Sequence, residues 1–213
     1  MIFNRLNLLR AAGAVALAMV AAGASQAAQA DVVFDNLGSS QDFSEPAFGS
    51  SPLAQSFNSG SGGALDDIKL LLTSSTGLNP TGSLEVSLVA NGATGPGSQI
   101  ISLGSLMNSA VKAGSTGVFD FAPLAGTVLD AGTTYWIEIS ETTANGIEWL
   151  GSQDISGTGV DGSSFFDPDF GVTAAEDFGA FQMAVDVPEP ETLTLLLGSL
   201  LGLGLVARQR RAQ

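Results

Sequence analysis

Ser83-Leu84-Glu85-Val86-Ser87-Leu88 sets a polar residue against an aliphatic one at every step. Successive side chains of a β-strand point to opposite faces, so this alternation predicts a strand that buries Leu84, Val86 and Leu88 and turns Ser83, Glu85 and Ser87 outward. The same period recurs on both sides. Residues 65–73 place Ile68, Leu70 and Leu72 opposite Lys69, Leu71 and Thr73. Residues 133–140 place Tyr135, Ile137 and Ile139 opposite Trp136, Glu138 and Ser140. Residues 178–186 place Phe181, Met183 and Val185 opposite Ala180, Gln182 and Ala184. Shorter runs at 32–34, 53–57, 99–103 and 118–122 are further strand candidates, and 106–112 fits a short helix or a strand equally well.

Turn chemistry separates these runs. Asn91-Gly92-Ala93-Thr94-Gly95-Pro96-Gly97 reads as a loop, and Ala144-Asn145-Gly146 reads as a hairpin turn that joins 133–140 to a partner strand opening with Ile147 and Trp149. Residues 151–177, rich in Gly, Ser and Asp, read as loops. No stretch of ten or more residues has a helical period, and there is no repeat of fixed length. About nine short strands with regular turns predict an all-β domain over residues 31–186, an antiparallel β-sandwich of jelly-roll type.

The two ends differ in kind from this body. Arg5 and Arg10 precede and flank an apolar run at 11–23, and Ala28-Gln29-Ala30 supplies the small residues of a cleavage site. Residues 1–30 therefore read as a secretory signal peptide, cut after Ala30 to leave Asp31 first. At the other end, 192–207 carries no charge and is mostly Leu, Gly and Ala. As a helix it would rise to roughly 24 Å, just under the ~30 Å of a bilayer's hydrocarbon. Arg208, Arg210 and Arg211 then suit a cytoplasmic end, with the body on the far side of the membrane.

Val187-Pro188-Glu189-Pro190, the Leu-rich span and the arginine cluster together resemble the PEP-CTERM sorting signal of Gram-negative bacteria. That resemblance implies that the membrane enzyme exosortase recognises 187–213 and cuts the chain near the Pro-Glu-Pro stretch, after transient anchoring in the inner membrane. A second resemblance covers the body. Phe34-Asp35-Asn36, Gln55-Ser56-Phe57, the Pro96-Gly97 loop and Leu129-Asp130-Ala131-Gly132-Thr133-Thr134-Tyr135-Trp136 look like the exported choice-of-anchor domains, most nearly type R. It implies a β-rich surface or matrix protein and carries over no catalytic residue.

Composition narrows the function classes. Between the terminal signals stand two lysines, Lys69 and Lys112, against nineteen acids, a net charge of −17. Such a surface repels phosphate backbones, so nucleic acid is not an expected partner. The chain has no cysteine and no histidine. Disulfides, His-based nucleophilic catalysis and the commonest transition-metal ligand are therefore all unavailable.

Three kinds of site stay open. Asp154, Asp161, Asp167 and Asp169 offer hard oxygens to Ca²⁺, although their spacing matches no EF-hand; turn-forming and solvated aspartates are the more ordinary alternative. Trp136 and Trp149, on facing strand candidates, with Glu138 beside Trp136, could hold a sugar ring on an indole face, against the alternative of core tryptophans. Glu138 and Glu148 could form the carboxylate pair of a glycosidase if cross-strand neighbours, against the alternative of ordinary surface acids. The expectation is an exported, non-enzymatic protein of the cell envelope or extracellular matrix. It would be delivered by the secretion machinery, sorted by exosortase, and structural or adhesive in contact with exopolysaccharide or biofilm. A carbohydrate-binding module is the alternative, and a glycan hydrolase a more distant one.

Overall fold

The computed structural model describes residues 30–48, 51–74, 81–123, 126–143 and 146–188. Most of the signal segment, including Ala28, and the tail from Glu189 through Pro190 to Arg208, Arg210 and Arg211 lie outside the described residues. Among the described residues no helix is long and apolar enough to cross a membrane. Ala30–Pro188 forms one compact unit.

The chain opens with β1 (Ala30–Asp35), β2 (Phe43–Pro46), β3 (Leu53–Asn58), β4 (Gly63–Ala64) and β5 (Asp67–Ser74). β6 (Ser83–Asn91) and β7 (Pro96–Met107) form a long hairpin, and a 3-10 turn (Asn108–Ala110) leads to β8 (Thr116–Phe121) and β9 (Val128–Leu129). Then follow β10 (Thr134–Glu141), β11 (Ile147–Ser152), β12 (Ser164–Asp167), β13 (Gly171–Ala174), a single helical turn α1 (Ala175–Phe178), β14 (Ala180–Phe181) and β15 (Met183–Pro188). Residues 106–112 thus divide between strand and 3-10 turn.

Two sheets build an antiparallel β-sandwich. One has seven strands in the order β1-β15-β5-β11-β14, with β2 added on β11 and β8 on β5. The other has six, β13-β12-β3-β10-β6-β7, and β4 and β9 make a separate pair. Neighbours are rarely consecutive in sequence, because the chain passes repeatedly from one sheet to the other. The core fills from both: Ile68, Leu70, Leu72 and Trp149 from the first sheet, and Leu84, Val86, Leu88, Ile137 and Ile139 from the second. These are the faces that the period of two selects in β5, β6 and β10, since alternation shows which side of a strand meets apolar neighbours.

Three sequence expectations need correction. First, β11 is not the hairpin partner of β10. β10 pairs β3 and β6, whereas β11 pairs β5, β2 and β14 in the opposite sheet. Glu141, buried at the end of β10, accepts from Asn108 Nδ2 at 2.8 Å, and a Cβ on Gly146 would lie 2.3 Å from Glu141 Cγ. Only glycine lets the chain pass this close to that carboxylate on its way across. Second, 151–177 is not all loop. It holds the β12–β13 hairpin, whose Phe165 is buried against the core, and α1. Third, the packed body does not end at residue 186: Val187 continues the inward row of Met183 and Val185 and is fully buried.

Three buried amides repair a break in the first sheet. Gln182 lies between β14 and β15: its side-chain Nε2 donates to Asn36 O at 3.1 Å and Ser39 O at 3.0 Å, while its backbone carbonyl accepts from Leu71 N–H at 3.0 Å and from the Trp149 indole N–H at 2.9 Å. Asn36 acts as a surrogate strand neighbour: its Nδ2 donates to Phe181 O at 3.2 Å and its Oδ1 accepts from Met183 N–H at 2.8 Å. From the other sheet, Gln55 Oε1 accepts from Phe181 N–H at 2.9 Å while its Nε2 donates to Ser163 Oγ and Ser164 O, both at 3.1 Å. Asn36 and Gln55, each from a motif quoted above, therefore converge on residues 181–183 and satisfy backbone groups that a strand break would orphan. The segment at 129–136 has a similar role, with Asp130 N–H donating to Tyr135 Oη at 3.1 Å and Thr133 N–H to Ser59 Oγ at 3.0 Å.

Candidate functional site

The two tryptophans occupy opposite halves of the sandwich. Trp149 is fully buried and stacks on Phe181 with centroids 4.9 Å apart at 12°, so no ligand can reach it. It is excluded as a sugar contact because β11 turns it inward. Trp136 does face away from Tyr135, Ile137 and Ile139, yet it is only 3% exposed. It packs with Ala54 and Val89 in a small second cluster on the outer face of the six-stranded sheet, and Phe166 from β12 closes over that cluster.

Beside Trp136 the outer face holds a groove of about 380 Å³. Its floor is Ser56 of β3 with Thr134 and Trp136 of β10. One wall is the tip of the β6–β7 hairpin, residues 91–95; the other is formed by Gly162, Ser164 and Val172. The hairpin tip is held shut by Gly92 N–H donating to Gly95 O at 2.7 Å. It also abuts the opposite wall, since a Cβ on Gly95 would lie 2.6 Å from Val172 Cγ2. Trp136 Nε1–H donates to Asn91 Oδ1 at 2.9 Å, and Ser164 N–H donates to Ser56 Oγ at 2.7 Å. No charged side chain lines the groove. Sequence reading reached Trp136 but treated 91–97 only as a turn, and nothing in one sequence links Asn91 or Thr94 to Ser164.

The acids group differently from expectation. Glu138 lies on the outer face of the six-stranded sheet, off the groove, and its burial pushes its carboxyl up. Glu148 lies in the other sheet, pairing with Thr73 and Pro46 and accepting from Ser44 Oγ at 2.7 Å. Strands in different sheets with both carboxylates turned outward cannot form a catalytic pair, so the Glu138–Glu148 pairing is overturned. Asp154 and Asp161 are exposed loop residues, and Asp154 Oδ1 accepts from Ser156 N–H at 3.0 Å. Asp167 is buried and its Oδ1 accepts from Asp169 N–H at 2.8 Å, an ordinary turn bond. Asp167 and Asp169 share with Glu45 a cleft of about 250 Å³, where burial pushes the Glu45 carboxyl up and Asp167, Asp169 and Glu148 push it further. Among the described residues no group of three or more acids is placed to hold a metal ion. The four aspartates proposed for calcium are thus not brought together as one site.

No protein family and no curated protein matches the chain. Among solved structures it is similar to particles of infectious bursal disease virus. The T13 particle aligns at 13% identity with a TM-score of 0.26, over 76% of this chain and 30% of that one. The Gx strain aligns at 11% identity with a TM-score of 0.28, over 86% of this chain and 49% of that one. The chain therefore spans between about a third and a half of the viral chains it matches.

Proposed function

We propose that this is an exported, non-enzymatic protein of the cell envelope or extracellular matrix, with a structural or adhesive role in contact with exopolysaccharide. The secretion machinery delivers it, the inner membrane holds it briefly by its tail, and exosortase releases or transfers the body. One observation supports this most. The compact unit runs from Ala30 to Pro188, and Ala30 and Asp31 of β1 pair with Pro188 and Val187 of β15. The two expected processing points therefore lie side by side at the outer ends of neighbouring strands. Cutting after Ala30 and beyond Pro188 removes one residue from the start of β1, keeps the rest of both strands and takes nothing from the core. The charge of −17 between the terminal signals suits a body that stays soluble outside the cell.

An antibody raised against the body should label intact cells of the native host or the matrix around them. Labelling that appears only after the cells are permeabilised would overturn the proposal.

A further inference from the structure

We propose that the groove beside Trp136 is a binding site for one neutral sugar unit of a polysaccharide, an assignment that rests on the extracellular reading above and names its ligand class. The volume of about 380 Å³ lies at the lower end of the ~300–1,000 Å³ range of small-molecule sites. Its chemistry is that of a polyhydroxylated, uncharged ligand. Asn91, Thr94, Thr134 and Ser164 put amide and hydroxyl groups around the cavity, and the exposed Val172 methyls give apolar surface for the C–H face of a ring, over a floor that the buried Trp136 holds in place.

Two of the polar groups are oriented before any ligand arrives. The indole N–H can only donate, so Asn91 Oδ1 is committed to it and both Nδ2 hydrogens remain for another acceptor. Ser56 Oγ is likewise committed as acceptor to Ser164 N–H, which leaves its own hydrogen available in the groove it lines. The hairpin tip is fixed by its own hydrogen bond and by contact with Val172, so little ordering cost remains for binding. An anionic saccharide has no cation to meet here and approaches a body of net charge −17, so the site selects neutral over uronate polymers.

The test is titration of the full chain, purified in detergent, with short oligomers of glucose, mannose, galactose and N-acetylglucosamine, and with alginate for comparison. At least one neutral oligomer should bind saturably and alginate should not. Asn91→Asp keeps the acceptor for Trp136 but removes both donors, and should weaken binding about tenfold, the equivalent of one to two hydrogen bonds. Thr134→Val keeps the strand and removes one hydroxyl, and should weaken it about threefold. Asp120→Asn, on β8 of the other sheet, changes the net charge by one unit in the opposite sense and should have no effect. If Asn91→Asp proves poorly folded, Thr134→Val carries the test alone. Absence of neutral saccharide binding, binding unmoved by either groove variant, or alginate bound as tightly as the neutral oligomers would each overturn the assignment. A chain that reaches the cell surface yet binds no saccharide defeats the groove and leaves the export reading standing. A chain that binds saccharide but stays inside the cell does the reverse.

Discussion

Trp149→Ala should destabilise the domain by about 3–5 kcal/mol, the usual cost of truncating a large buried aromatic. The indole is completely buried, stacks on Phe181 and donates to Gln182 O at 2.9 Å, so its loss removes apolar contact, an aromatic pair and a hydrogen bond together. Phe181 in turn meets Phe43 at 5.8 Å and Phe165 at 5.6 Å, which leaves few neighbours free to collapse into the cavity. Thermal unfolding followed by circular dichroism should show a midpoint lower by roughly 10 °C. Saccharide binding by the folded fraction should not change, because Trp149 belongs to the other sheet. A loss below about 1 kcal/mol would mean that the residue is not in the core.

Gln55→Leu should cost about 3 kcal/mol although it replaces a polar side chain with an apolar one of similar size. Gln55 is fully buried, and its amide is the partner of Phe181 N–H in one sheet and of Ser163 and Ser164 at the start of β12 in the other. Leucine fills the space but leaves those groups in a dry interior without their partner, and unmade buried hydrogen bonds weigh more than the added apolar surface. In urea the midpoint should fall while the slope stays constant, since the unfolded chain exposes the same surface. An unchanged midpoint would show that the amide bridge contributes nothing to the join between the sheets.

The inward faces of β5, β6 and β10 were legible because each strand has one apolar neighbour layer, and that leaves a period of two. The sheet change between β10 and β11 was not, because a Gly-containing turn looks the same whether the chain folds back or crosses over, and nothing in the sequence marks the close approach of Gly146 to the buried Glu141. The β12–β13 hairpin was hidden by its composition, since four-residue strands carrying an inward Asp167 and a Gly171 scarcely differ from loop. Its absence from the reading is why Trp136 stayed open between sugar contact and core. The face was assigned correctly, but the hairpin extends the same sheet beside β3, and Phe166 packs against Ala54, Val89 and Trp136 on that outer face.

The groove was half legible for the same reason. Trp136 stood out as an aromatic on an outward face, whereas Asn91, Thr94, Ser164 and Val172 come from turns and short strands far apart in the chain and meet only in the folded sheet. Trp149 drew equal attention on equal evidence and proved to be core. Residue type alone cannot separate the two, because tryptophan serves both purposes and only its surroundings decide.

The intact mass of the protein recovered from the envelope and medium of its native host tests the central claim most directly. The account predicts a chain that begins at Asp31 and ends just beyond Pro188, alone or with an added group at its new C-terminus, with every strand of the sandwich retained. A mass that still includes Arg208, Arg210 and Arg211 would contradict removal of the tail and make 192–207 a permanent anchor; one that still includes residues 1–30 would contradict export by a cleaved signal.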